Sequence, residues 1–227
     1  MSTTIVDLNG ADHAAHSSTL AHHFATKEQQ FDSAKLGMWL FLATEIMLFG
    51  VLFVAFGLSQ SKWPEEFKEA HHHLQRPLGG LNTIVLLISS WTMVMGVLSA
   101  KRGNKTALVN YLVLTIACAC IFLGVKYFEY SHKFEEGLLP GKWYFYHETL
   151  PEHVKGASVF FSFYFMMTGL HGFHILGGIG VLTWMLIRAM KGEFGPNYFT
   201  PVDLAGLYWH LVDLIWIYLF PLLYLIQ

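Results

Sequence analysis

Glu45, His171, His174, His210 and Asp213 are ionisable side chains set in the middle of long apolar runs. Hydrocarbon solvates charge poorly, so an acid or imidazole placed there is expected to be paired, neutral or engaged with a proton. Glu45 has no cation in its own run to neutralise it. His171 and His174 lie three residues apart, as do His210 and Asp213, and that spacing puts each pair on one helix face. If the runs thread a bilayer in alternating directions, all five groups reach a similar depth. The expectation is a polar cluster joining the first, fourth and fifth runs, with its carboxylates hydrogen-bonded or protonated. A plainer use of such groups is interhelical hydrogen bonding, at about 1 kcal/mol per bond. That use suits His210 and Asp213 better, whereas a functional role suits Glu45 better.

The same residues argue against a redox centre. A di-haem bundle needs axial histidine pairs at two depths, and here three mid-run histidines crowd at one. A haem–copper site needs more histidines, and a dinuclear copper site needs cysteine and histidine in a soluble domain. Cys118 and Cys120 both fall within an apolar run and, two residues apart on a helix, do not face each other. They read as small buried hydrophobes, with no disulfide and no thiolate metal motif. No catalytic residue and no metal ligand is assigned. His13, His16, His22 and His23 near the N-terminus, and His71, His72 and His73 in a connection, read as solvated.

The elements that must position these groups are membrane spans. Apolar residues make up 54% of the chain and charged ones 13%, too little polar surface for a soluble domain of this length. A net charge of −2 carries no basic patch for nucleic acid. A span takes roughly 20 apolar residues. Five stretches qualify, at about 36–58, 78–100, 107–127, 156–187 and 204–226. The fold class expected is all-α: a polytopic membrane helix bundle with five transmembrane helices over residues 34–227. Residues 1–33 form a polar N-terminal tail without the features of a signal or transit peptide. The fourth stretch exceeds an upright span and is expected to tilt or protrude. Gly50, Ser89, Ser90, Gly96, Gly169, Gly177, Gly178 and Gly180 are expected to let helices approach closely.

Short basic connections carry Lys101, Arg102, Lys105, Arg188 and Lys191. The excess of lysine and arginine in cytoplasmic loops places them inside, with the N-terminus cytoplasmic and the C-terminus outside. A stand-alone transporter would also hold midplane charges. Such proteins often show internal repeats, and five non-repeating spans speak against that reading.

Several segments resemble one family, in order along the chain. KLGMWLFLATEIMLFG (residues 35–50) is similar to the glutamate-bearing helix of subunit III of haem–copper oxidases. LNTIVLLISSWTM (81–93) resembles the helix after it, and KYFEYSHKF (126–134) the end of the next. FFSFYFMMTGLHGFHILGGIGVL (160–182) and GLYWHLVDLIWIYLFPLLYLI (206–226) resemble the last two helices. The similarity is greatest to the short, five-helix bacterial form of cytochrome c oxidase subunit III. It implies an accessory subunit in the bacterial plasma membrane with no cofactor of its own. Haem and copper would lie in partner subunits, with subunit I the main contact and subunit II also in the complex. The resemblance further implies stabilisation of subunit I and support of proton uptake. The carbodiimide-reactive carboxylate of the family falls on Glu45, its associated histidine on His171 or His174, and a residue near a phospholipid headgroup on Arg188. Longer members carry two more helices that form a lipid-holding cleft, and this chain lacks them. Subunit III of quinol oxidases and an accessory subunit of nitric oxide reductases are the alternatives within the resemblance.

Overall fold

The computed structural model describes residues 24–139 and 154–225. His13, His16, His22 and His23 lie outside the described residues. Among those described there are six helices and no strand: α1 (Lys27–Lys62), α2 (Pro64–His71), α3 (Arg76–Lys101), α4 (Lys105–Glu135), α5 (Val154–Lys191) and α6 (Thr200–Tyr224). All but α2 are long and apolar enough to cross a membrane. The chain divides into two compact units, with the boundary between Phe41 and Leu42 inside α1. In the first unit, the Gln29 amide donates to Thr26 Oγ1 at 3.1 Å and the Ala25 amide to the Gln29 side chain at 2.9 Å. This reciprocal capping starts the helix well before the apolar run begins.

In the second unit, α3, α4, α5 and α6 form a four-helix ring in which each helix packs on the next and α6 closes onto α3. α3 and α4 run antiparallel because the turn between them is short. Gly103, at φ 71°, ends α3 in the left-handed region, and Asn104 then caps α4 by accepting from the Ala107 amide at 3.1 Å. Trp209, Trp216, Tyr164, Met167, Phe122 and Met93 fill the ring. Hydroxyls on α3 tie it to its neighbours. Trp209 Nε1 donates to Ser89 at 2.9 Å, Trp216 Nε1 to Thr83 at 3.1 Å, and Thr92 pairs with Thr115 of α4 at 2.8 Å. In hydrocarbon such bonds hold helices that have no hydrophobic reason to associate.

Helix α1 joins the ring through aromatic side chains. Phe56 packs on Phe160 and Phe163 of α5, with ring centroids 6.0 and 5.9 Å apart. Phe67 of α2 lies 5.2 Å from Phe56 and 5.4 Å from Phe160. The sequence reading treated α2 as part of a connection. Its cues are Pro64 in the first turn, Glu65 and Glu66 beside it, and Phe67, Ala70 and His71 on one buried face.

His71 is therefore not solvated as expected; it is only 1% exposed. The amphipathic face of α2 carries it inward, where its Nδ1 donates to the Lys68 carbonyl at 2.6 Å and its Nε2 accepts from Arg76 at 2.8 Å. Those bonds require the neutral ring, and burial holds its pKa below the ordinary 6.5. The unfolded chain then takes up a proton first, so this corner loses stability as pH falls below about 6.5. Thermal unfolding in detergent is expected to show a lower midpoint at pH 5.5 than at pH 7.5. In His71→Gln that difference should shrink.

The small residues divide. A methyl group added at Gly178 would sit 2.6 Å from Trp209, a ring already locked by its bond to Ser89. One added at Gly50 or Gly180 would meet nothing within 4 Å. Close packing within the chain is thus the role of Gly178, but not of Gly50 or Gly180. Gly178→Ala is expected to destabilise by about 1–3 kcal/mol, and Gly180→Ala to leave the unfolding midpoint unchanged.

Candidate proton site and its surroundings

Glu45 lies near the middle of α1 and His174 near the middle of α5. Glu45 Oε2 and His174 Nε2 are 2.8 Å apart. The other ring nitrogen, Nδ1, faces the Leu170 carbonyl at 2.8 Å. A carbonyl only accepts, so Nδ1 carries a hydrogen. That leaves two arrangements for the contact: a neutral imidazole accepting from a carboxylic acid, or an imidazolium donating to a carboxylate. Both hold one proton between the two side chains, and both are neutral overall. Removing that proton would set two acceptors face to face; adding another would set two donors face to face. The Tyr208 hydroxyl donates to the His174 carbonyl at 2.9 Å, and Phe49 packs edge-on against the His174 ring at 5.5 Å. The residues around the pair thus fix its orientation.

The cluster expected from sequence does not form as one group. His171 and His174 diverge although they are three residues apart, because that spacing leaves about 60° between them around the helix. His174 points to α1, whereas His171 points into the ring and is 0% exposed. There it stacks on Trp216 at 5.3 Å and meets the edge of Phe122 at 5.5 Å. Neither ring nitrogen of His171 has a hydrogen-bond partner. His210 and Asp213 face α3 rather than α1, and His210 Nδ1 pairs with the Ser90 hydroxyl at 2.8 Å. Interhelical bonding, the plainer use of such groups, is what His210 does here.

Arg188 lies near the end of α5. Its Nε donates to Glu193 at 2.6 Å and one terminal nitrogen donates to the Tyr198 hydroxyl at 3.3 Å. The guanidinium also stacks over Trp184, Phe194 and Tyr198, 5.0–5.8 Å from the ring centroids. Much of its charge is thus satisfied within the chain.

A second polar cluster escaped the sequence reading, which ended the third span at residue 127. Helix α4 runs on to Glu135, and Lys126, Glu129 and Lys133 form a buried stripe along it. Lys126 Nζ donates to Glu129 Oε2 at 2.9 Å and to the Tyr224 hydroxyl at 2.7 Å. Tyr164 and Tyr224 both donate to Glu129 Oε1, at 2.9 and 2.5 Å. Trp216 lies beneath the ammonium, 4.7 Å from ring centroid to Nζ. Lys133 donates to the His73 carbonyl. The cue was present in KYFEYSHKF: charges at positions i, i+3 and i+7 share a helix face. Among the described residues, no three His, Cys, Asp or Glu side chains converge as a metal site would require.

A sequence model described as cytochrome c oxidase subunit III matches residues 5–136 and 142–227. The chain belongs to the cytochrome c oxidase subunit III family. Cytochrome c oxidase subunit 3 of Corynebacterium diphtheriae is 34% identical, over 85% of this chain and 87% of the relative. Quinol oxidase subunit 3 of Bacillus spizizenii is 30% identical, over 94% and 97%. Cytochrome c oxidase subunit 3 of Thermostichus vulcanus is also 30% identical, over 86% and 88%. As a subunit III chain, this is a multi-pass membrane protein and part of an oxidoreductase complex with other oxidase subunits. Within it, the histidine in contact with the mid-span glutamate is His174.

Proposed function

We propose that this chain is the non-redox accessory subunit of a haem–copper terminal oxidase, and that its Glu45–His174 pair supports proton uptake by the complex. The 2.8 Å contact between a mid-span carboxyl and an imidazole carries the second half of this reading, since it holds one exchangeable proton at no net charge. The chain's part is to bind, orient and hold that proton. Reduction of oxygen at haem and copper belongs to partner subunits, with subunit I as the main contact and subunit II beside it. Neutrality is what allows the pair to sit at mid-depth, where an isolated carboxylate would be expelled or protonated. Helix α1, joined to α5 largely through side chains, brings the carboxyl to the histidine.

Orientation follows from the basic ends of α3, α4 and α5. Lys101, Arg102, Lys105, Arg188 and Lys191 gather at one end of the ring, which is the cytoplasmic side in this reading. A phospholipid headgroup at that end would meet whatever donors of Arg188 are not engaged by Glu193 and Tyr198. Relatives named for both cytochrome c and quinol oxidases leave the electron donor to the partner subunits.

Purifying the complex through this chain tests the first half. The visible spectrum is expected to show haem, and subunit masses are expected to include a haem-bearing partner. A preparation without such a partner would overturn the proposal. The haem type and the subunit that receives electrons would identify the branch.

A further inference from the structure

Tyr208 of α6 reaches across to α5, where its hydroxyl donates to the His174 carbonyl at 2.9 Å. Two glycines open the way. A methyl group added at Gly177 would lie 3.7 Å from that hydroxyl, and one at Gly178 would lie 3.3 Å from the tyrosine ring. The carbonyl does not depend on this bond. Helix α5 continues unbroken past His174, so the carbonyl already takes the Gly178 amide four residues on. A carbonyl oxygen has two lone pairs, and Tyr208 uses the second. Its hydroxyl can therefore leave without orphaning a buried group. That side chain also lies close enough to Glu45 to interact with it electrostatically. Among the described residues, the titratable side chains facing Glu45 are thus His174 from α5 and Tyr208 from α6. The apolar run of α1 brings no cation to it.

Once the pair has lost its proton, the Glu45 carboxylate and His174 Nε2 are two acceptors face to face. A bare carboxylate at mid-depth is costly. We propose that Tyr208 is the third member of this proton site: when the pair gives up its proton, the tyrosine hydroxyl turns from the His174 carbonyl to the Glu45 carboxylate. This rests on the pair holding a proton, as proposed above. The proton passes to a water molecule, Tyr208 keeps its own, and the site changes by one charge. A hydroxyl donating to the carboxylate stabilises that charge. Tyr208 thus makes the proton releasable, whereas the pair alone stores it.

The complex purified through this chain provides the test. Infrared difference spectra between it and its Glu45→Gln variant isolate the bands of the pair. The shift of those bands after transfer to heavy water times the departure of the proton. Tyr208→Phe is expected to slow that shift about tenfold, because a hydrogen bond to a charged group is worth a decade or more in rate. A tyrosine that only braced α5 against α6 would give the opposite result, since loosened helices exchange faster. Difluorotyrosine at position 208 keeps the ring and strengthens the donor, so it should speed the shift. That substitution carries the test even where Tyr208→Phe lowers the yield of complex. A shift in Tyr208→Phe as fast as the parent's, or faster, would overturn the inference, as would a difluorotyrosine rate equal to the parent's. Either result, with the bands of the pair still exchanging, leaves the proposed proton role standing and removes only Tyr208 from it. If Glu45→Gln removed no band that shifts in heavy water, the pair would hold no proton and that role would itself fail.

Discussion

Glu129→Ala is expected to destabilise the folded chain by about 3–5 kcal/mol, the usual penalty for removing one partner of a buried ion pair. The substitution leaves the Lys126 ammonium buried among Trp216, Tyr164 and Tyr224 with no counter-ion. It also takes the acceptor away from two tyrosine hydroxyls. Glu129 links three helices: Lys126 and Glu129 are on α4, Tyr164 is on α5 and Tyr224 on α6. The loss should therefore appear as weakened closure of the ring and not merely as fraying of α4. Thermal unfolding in detergent, followed by helix signal and by thiol accessibility at buried Cys118, measures it. A companion variant isolates the charge. In Lys126→Met with Glu129→Gln neither member of the pair is charged, and the amide oxygen still accepts from the tyrosines, so most of the stability should return. If Glu129→Ala unfolds at the parent's midpoint, the ammonium must be hydrated and the cluster contributes little.

Glu45 should react with a hydrophobic carbodiimide, and the adduct should map to the peptide that contains it. The reagent attacks protonated carboxyls, and the Glu45–His174 pair holds one proton that the carboxyl can carry. Glu45→Gln should lose the adduct entirely while keeping a polar contact to His174. His174→Phe removes the acceptor at Nε2 but leaves the acid, so labelling should persist. Turnover of the oxidase complex bearing Glu45→Gln should fall, but by less than about tenfold. An interhelical hydrogen bond contributes about 1 kcal/mol, and a tenfold rate change needs about 1.4. Equal labelling of the parent and Glu45→Gln would show that the reactive carboxyl lies elsewhere. Undiminished turnover in a variant that no longer labels would separate the proton from the function.

How much of this was legible in the sequence differs from residue to residue. Five membrane-crossing helices could be read because hydrocarbon demands long apolar runs, and length together with composition records them directly. Glu45 was legible for a related reason: a lone acid in such a run is conspicuous wherever its partner lies. Its partner was only half legible. The sequence narrowed the choice to His171 and His174, and the 60° between them around α5 then sent one to α1 and the other into the ring. Lys126 and Glu129 went unread because the apolar run stops at residue 127. A charge near a helix end looks solvated until tyrosines from two other helices are seen to close over it. His71 was read as solvated on the same reasoning, before α2 was known to turn it inward.

By itself, then, the sequence determined the class of solvent this protein lives in, the number of crossings and the residues too costly to place there without a use. Its motifs also pointed to the family that the comparisons confirm. Tertiary structure alone decided which of those residues meet. Partner choice depends on helix rotation and on which helices are neighbours. Both are set by packing between segments far apart in the chain, such as Glu45 and His174, 129 residues apart. No local pattern of residues encodes the angle at which one helix faces another.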